Sequence, residues 1–505
     1  MARASWVLIG GFLASVSVHA QLGPPPVPAE NPITEEKRLL GKILFWDEQL
    51  SNDNGVACGT CHQPAVGGSD PRLGLNPGPD GVTPSPDDRI GSPGVVRRDA
   101  AGRPIADPVF GFGVQVTGRA ANTPIGAAYA SDLFWEGRAR SEFIDPESGL
   151  TAIPFGGGLE SQAVGPVVSH VEMARDGRTW NDVKAKLAIS HPLSDATDLP
   201  VDVAAALAGG ATYADLFQAA FGDPAISAQR VAFAIATYER TLVPDQTPWD
   251  RFMAGEGGAM TPAQVQGWNT FNNSLCSFCH TPPTFSDQEF HNIGIRPPDE
   301  DLGRIVVSEN EGDRGRFKSP TLRNGGLKPT FMHNGRLTSI EESVLWYRTG
   351  NPDRSEDNLD VFLPVDVAEA DLPPLVDFLT GGLTDPRVAA ETFPFDRPTL
   401  HAGALPALSF GGHDLLQWPA LSGVQRYNVY RGTLQSLRTG GGYGSCASIG
   451  DPDHADTLFL DTEAPSPGQG FFYLKDVVDG TGAERGLGSN GSGVPRTVLL
   501  PCPAP

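Results

Sequence analysis

Apolar positions recur at helical spacing in short stretches separated by long polar ones. Leu39, Leu40, Ile43 and Leu44 predict a short amphipathic helix, with Asn31-Pro32 as its N-cap and first residue. Residues 201–243 also read as helical, with Val231, Ile235, Tyr238 and Leu242 on one face. Ser339-x-x-Glu342 is a capping box. Behind it Ile340, Val344 and Tyr347 are spaced i, i+4 and i+7, so Tyr347 points inward with them. Residues 372–379 give one more short helix, stopped at Gly381-Gly382. Residues 63–121 and the stretch before about residue 337 carry no period and read as loops. Near residue 400 the pattern changes. Residues 426–431, 457–460, 471–478 and 497–500 read as strands between Gly, Pro and Asp turns, which suggests a small β-sandwich.

Composition narrows the class. The 505 residues suit about three domains, and 60 Gly with 46 Pro imply many turns. A formal charge of -23 argues against nucleic acid and anionic membranes as partners. At the N-terminus, Arg3, the apolar run from Trp6 to Val18 and the small-residue site Val18-His19-Ala20 read as a secretory signal over residues 1–20. That run is short for a membrane span, and no later stretch is longer. The mature chain is therefore expected to be exported, without a membrane span.

The cysteines supply the chemistry. Cys58-Gly59-Thr60-Cys61-His62 returns as Cys276-Ser277-Phe278-Cys279-His280. Cys-x-x-Cys-His is the attachment site of c-type haem. Each thiol forms a thioether with a haem vinyl group, and the histidine becomes the proximal iron ligand. A redox dithiol or half a zinc site explains one Cys-x-x-Cys, but two copies with the same following histidine favour two haems. Haem is attached outside the cytoplasm, so a periplasmic location fits both the signal and the motif. Cys446 and Cys502 remain and are expected to pair, with a stabilisation of roughly 2–4 kcal/mol. The expected organisation is mainly α: two cytochrome-c-like haem domains, at 21–245 and 246–396, then a small all-β sandwich at 397–505.

Further blocks lie around the two haem sites. They are Leu40-Gly41-Lys42-Ile43-Leu44-Phe45, Asn122-Thr123-Pro124, Phe134-Trp135-Glu136-Gly137-Arg138, Gln162-Ala163-Val164-Gly165-Pro166 with Glu172-Met173, Phe290-His291-Asn292, Pro320-Thr321-Leu322-Arg323-Asn324 and Met332-His333-Asn334-Gly335-Arg336. In this order, over about residues 33–385, they resemble the di-haem cytochrome c peroxidase superfamily, which includes the MauG-type enzymes. The terminal module, of fibronectin III-like kind, lies outside the resemblance.

The resemblance implies hydrogen peroxide as substrate and assigns site residues. Glu172 matches the distal glutamate, and Gln162 a polar neighbour in the same pocket. A carboxylate there can take a proton from one peroxide oxygen and return it to the other. His170 is a rival acid–base group or distal ligand. Trp135 matches a tryptophan between the haems that relays electrons. Tyr347 stands where classical members carry a methionine ligand to the second haem, as in MauG-type members; Met332 is the alternative ligand. An anionic oxygen ligand favours oxidised iron, whereas methionine raises the potential. Asn122, with the carbonyls of Lys328 and Thr330, matches a calcium site. Arg323 is expected to pair with a haem propionate, against the alternative of an ordinary surface salt bridge. His291 and His333 read as structural.

Two departures matter. The 63–121 loop has no histidine, so the gate that closes the first haem in many such peroxidases is missing. An insertion between Arg138 and Gln162 reshapes access to the pocket. The leading expectation is a periplasmic peroxidase taking electrons from a small cytochrome c or copper protein. The alternatives are a MauG-like enzyme oxidising a tryptophan or tyrosine of a protein substrate, and a di-haem electron carrier or sensor.

Overall fold

The computed structural model describes residues 21–400, 409–410, 415–417, 424–439, 443–448, 458–465, 470–479 and 502. The expected signal peptide and the expected strand at 497–500 lie outside these residues.

The first helices are α1 (Glu35–Trp46), the one-turn α2 (Cys58–Cys61), α3 (Gly158–Ala163), α4 (Trp180–Leu187), α5 (Val201–Ala206), α6 (Tyr213–Phe221) and α7 (Ala228–Glu239). Helix α1 starts later than Asn31-Pro32 predicts. Thr34 is its N-cap and accepts from the Lys37 amide. Asn31 instead bridges distant segments from a fully buried position. Its amide donates to Glu160 at 2.8 Å and to the Phe233 carbonyl at 3.0 Å, and its oxygen accepts from Lys37 at 2.9 Å. A polar side chain spent on tertiary partners cannot also cap its own helix.

Helices α1 and α7 cross at Gly41, where an added Cβ would lie 1.9 Å from the Ala234 carbonyl oxygen. This approach buries Leu40, Ile43, Leu44, Val231 and Ile235 in one core, each contributing roughly 1.5–3 kcal/mol. A second core is built by α8 (Pro248–Met253), α9 (Pro262–Asn272), the one-turn α10 (Cys276–Cys279), α11 (Ile340–Trp346) and α12 (Leu372–Asp377) around Trp249, Phe271, Phe285, Leu375 and Phe378. The predicted helix at 372–379 ends as α-helix at Asp377 and continues as a wider π-type turn over Phe378–Gly382.

The 63–121 stretch is not plain loop. It forms two antiparallel pairs, β1 (Gly74–Asn76) with β2 (Arg89–Gly91), and β3 (Pro93–Val96) with β4 (Val114–Val116). The insertion carries a third, β5 (Phe143–Ile144) with β6 (Thr151–Ile153); β7 (Phe290–His291) pairs with β8 (Phe317–Lys318). Such two-residue to four-residue strands leave little period for a sequence to show.

Beyond residue 400 the described segments form two antiparallel sheets. In one, β9 (Ser409–Phe410), β10 (Leu415–Gln417) and β13 (Leu458–Leu460) run in the order β13-β10-β9. In the other, β11 (Val424–Thr433), β12 (Ser445–Cys446) and β14 (Phe471–Asp479) run β12-β11-β14. Leu416 and Phe459 of the first sheet pack with Tyr427 and Val429 of the second. Cys446 and Cys502 are joined by a disulfide with Cα atoms 4.9 Å apart. The fold is thus a mainly α-helical core followed by a smaller β-rich region. Among the described residues, no helix is long and apolar enough to cross a membrane.

Candidate functional site

Helix α2 presents Cys58 and Cys61 to a cavity of about 660 Å³. The Thr60 hydroxyl closes the turn by accepting from the Ala57 amide at 2.8 Å. His62 follows, with Nδ1 3.1 Å from the Gly68 carbonyl oxygen. Donation from Nδ1 to that oxygen leaves Nε2 bare, and burial keeps the imidazole neutral. Burial, with the charge of Glu239, pushes the Cys58 thiol up to about 12. Two thiols, an unprotonated ring nitrogen and a cavity of cofactor size fit a c-type haem.

The same cavity is lined by Trp135, Gln162 and Glu172. Glu172 sits on a turn after the 3-10 segment Pro166–Val168, its amide bonded to the Ser169 carbonyl at 3.2 Å. Arg178 fastens the turn by donating to the carbonyls of Leu50, Val167 and Met173. The β3 strand lies against it: a Cβ on Gly94 would be 1.8 Å from the Val171 carbonyl oxygen and 3.0 Å from the Glu172 Cα. Burial raises the Glu172 carboxyl above its ordinary range, opposed by a hydrogen bond with Ser169 and the charge of Arg138. His170 is exposed and does not line the cavity. Among the described residues lining it, His62 is the sole histidine.

Trp135 connects this cavity to the second attachment site. Its indole donates to the Ala120 carbonyl at 2.8 Å, and its own carbonyl accepts from the Lys318 amide at 2.7 Å. Its ring meets His333 edge-on at 6.3 Å, and His333 stacks on Phe317 at 3.6 Å. Burial lowers His333 to about 3, so that imidazole is neutral. One residue beyond Lys318, the Ser319 hydroxyl donates to the Cys279 carbonyl at 2.9 Å.

At the second site, His280 places Nδ1 3.3 Å from the Phe285 carbonyl oxygen, and burial again lowers its pKa. Tyr347, the C-cap residue of α11, is close enough to Cys276 and Cys279 for their charges to act on it; burial and then those charges raise its phenol. This donor set, two thiols with His280 and Tyr347, also fits a c-type haem. Met332 packs instead with Ile295, Leu337 and Trp346. His291 lies between Asp287 at 2.8 Å and Asp360 at 2.7 Å. Burial opposes its charge, but these carboxylates hold it up at about 11. Cys279, Asp287 and His291 cluster closely enough for a metal ion. Cys279, however, belongs to the Cys-x-x-Cys-His turn, and both His291 nitrogens are engaged.

Arg323 departs from expectation. Its guanidinium grips Asp250 through two contacts of 2.7 Å and donates to the carbonyls of Pro244 and Pro283. Both charged side chains are at most 2% exposed. It is a buried ion pair and not a surface bridge, because the buried Asp250 at the start of α8 demands a counter-charge. Of the proposed calcium residues, Asn122 lines the main cavity, and Thr330 borders a small hollow beside Ala120 and Ala121. The Lys328 ammonium is buried and lowered to about 8.

Glu239 was not singled out by the sequence. It closes α7, lines the cavity of Cys58 and His62, and has a buried Oε2 without a hydrogen-bond partner. The available signal was its position, i+4 from Ile235 on an apolar stripe.

Two Cys-x-x-Cys-His turns, the first on a cavity also lined by Trp135, Gln162 and Glu172, supply the donor set of a di-haem protein. Residues 35–258 match the di-haem cytochrome c peroxidase family. The methylamine utilization protein MauG of Methylorubrum extorquens is 30% identical over 373 residues, spanning 73% of this chain and 84% of that protein. MauG of Methylophilus methylotrophus is 29% identical over 364 residues, spanning 71% and 86%. The crystal structure of a MauG-like protein associated with microbial copper homeostasis superposes with a TM-score of 0.52 at 21% identity, covering 76% of this chain and 98% of that one. The chain belongs to the di-haem cytochrome c peroxidase/MauG superfamily.

Proposed function

We propose that the protein is a periplasmic di-haem c-type peroxidase that reduces hydrogen peroxide to water with electrons from a small cytochrome c or copper protein. The observation that carries this reading is one cavity holding Cys58, Cys61 and His62 together with Gln162 and a half-buried Glu172. The haem bound there would supply the iron that engages peroxide and accepts electrons. Cys58, Cys61 and His62 would hold it, and Cys276, Cys279, His280 and Tyr347 would hold the second. Reduction of H₂O₂ to two waters consumes two protons and two electrons. Glu172, whose carboxyl desolvation pushes above its ordinary range, can donate a proton to the departing oxygen and recover one afterwards. Gln162 offers an amide to orient peroxide without titrating. Trp135 offers the aromatic stepping point between the sites.

The same reading assigns 21–245 and 246–396 to the two haem domains and 397–505 to a fibronectin III-like interaction or spacer module. It keeps a calcium ion at Asn122, Lys328 and Thr330 as part of the proposal. The test is Glu172→Gln in haem-loaded protein. Peroxide turnover should fall by roughly 10²–10⁴ with the haem spectrum unchanged; full activity would overturn the assignment.

A second reading is favoured by Tyr347, whose place beside Cys276 and Cys279 suits an oxygen ligand. It is a MauG-like enzyme that uses peroxide to oxidise a tryptophan or tyrosine of a partner protein. The cavity lining, with no second histidine among its described residues, supports an N-terminal haem open before any reduction.

A further inference from the structure

Glu239 is a buried carboxyl that the proposed peroxide chemistry leaves unused. Its residue is 4% exposed, Oε2 has no hydrogen-bond partner, and the side chain borders the cavity that takes the N-terminal haem. Its charge acts on Cys58, the thiol that would carry that haem. Yet the neighbouring charges are already committed. On α7, Arg240 spends its guanidinium on Glu160 at 2.6 and 2.9 Å and on the Gly156 carbonyl at 3.1 Å. On α1, Lys37 donates to Asn31 and Pro32, and from α3 Glu160 adds only like charge. On α7, Tyr238 presents a buried neutral phenol that accepts from Trp46. Glu172 and Arg138 line the same cavity. A purely structural carboxyl would have found one of these cations; this one faces the cofactor space instead. Desolvation raises it from 4.5 to about 8, so it is mostly protonated at neutral pH.

We propose that Glu239 is a redox-linked proton site of the N-terminal haem. Above about pH 8, where it is mostly ionised, the Glu239 carboxylate takes up one proton from solvent as that haem gains one electron from its donor protein, and releases it when the electron leaves. An added electron disfavours a nearby anion in a low-dielectric site, and by linkage the anion disfavours the electron equally. The site thus keeps the net charge of the cavity constant through the reduction cycle. The inference rests on the haem assignment at Cys58, Cys61 and His62 but not on peroxide turnover.

The test is a spectroelectrochemical titration of the haem-loaded protein at pH values either side of 8. In wild type, the midpoint of the N-terminal haem should fall as pH rises, by at most about 59 mV per unit for one proton and one electron. Glu239→Gln should flatten that slope, and Glu239→Asp and Glu172→Gln should keep it. An unchanged slope in Glu239→Gln, or a slope removed by Glu172→Gln instead, overturns the proposal. Should Glu239→Gln not load haem, reduced-minus-oxidised infrared difference spectra of wild type decide. A deuterium-sensitive carboxylic C=O band gained on reduction supports the proposal, and its absence refutes it. Loss of peroxidase activity with the slope intact would count against the proposed function alone.

Discussion

Replacing Asp250 with Asn should destabilise the protein far more than a surface change. The side chains of Arg323 and Asp250 are 2% and 1% exposed and meet through two contacts of 2.7 Å. Asp250 also closes the first turn of α8, accepting from the Thr247 amide at 2.9 Å and its hydroxyl at 2.7 Å. Asparagine keeps the shape and one acceptor oxygen but not the charge. Arg323 would then remain buried with only neutral acceptors, the asparagine oxygen and the carbonyls of Pro244 and Pro283. Breaking such a pair from one side costs about 3–5 kcal/mol, a fall in Tm on the order of 10 °C for a unit of this size. Urea unfolding of the haem-loaded protein, followed by far-ultraviolet dichroism and Soret absorption, measures the loss. The double variant Asp250→Asn/Arg323→Met should be more stable than Asp250→Asn alone, because no uncompensated charge stays behind. A loss below about 1 kcal/mol would be that of an exposed pair and would refute the reasoning. A shifted potential of the C-terminal haem in Arg323→Met, at unchanged stability, would show that Arg323 also serves a propionate.

Tyr347→Met should raise the midpoint potential of the C-terminal haem, since a thioether favours reduced iron more than an anionic oxygen does; an unchanged potential would show that Tyr347 is not a ligand. Peroxide added to the all-ferric protein should react within the stopped-flow window, because the cavity lining offers no histidine but His62 among its described residues; a protein inert until reduced would mean a gated enzyme. Glu239 makes stability fall with rising pH. Its folded pKa, about 8, lies above the ordinary 4.5, so the native state binds a proton that the unfolded state has lost across that window. The urea midpoint of Glu239→Gln should therefore gain on that of wild type as pH rises from 4.5 towards 8, and parallel curves would exclude the raised pKa.

The attachment chemistry was legible because it is local. Cys58, Cys61 and His62 lie within one turn and its first following residue, as do Cys276, Cys279 and His280, so spacing alone carries the signal. The inward face of Ile340, Val344 and Tyr347 was likewise a matter of helical period, and half of the capping box forms: the Ser339 hydroxyl accepts from the Glu342 amide at 3.0 Å, while the Glu342 carboxylate accepts from the Thr338 amide at 2.7 Å instead of that of Ser339. The boundaries of α1 and α12 were not legible, because their ends depend on buried partners rather than on period. Asn31 shows this most directly. Its best local use is a cap, and a carboxylate 129 residues away claims it instead.

The sequence by itself determined the donor atoms, the two Cys-x-x-Cys-His turns and the change from helical to strand pattern, all of which depend on neighbours a few residues apart. Only the tertiary structure decided where charge is compensated. It paired Arg323 with Asp250, gave Arg240 to Glu160, and left Glu239 facing the cavity unpaired. Electrostatics in a low-dielectric interior depends on which charges meet in space, and residues 73 or 80 positions apart show no period that announces the meeting.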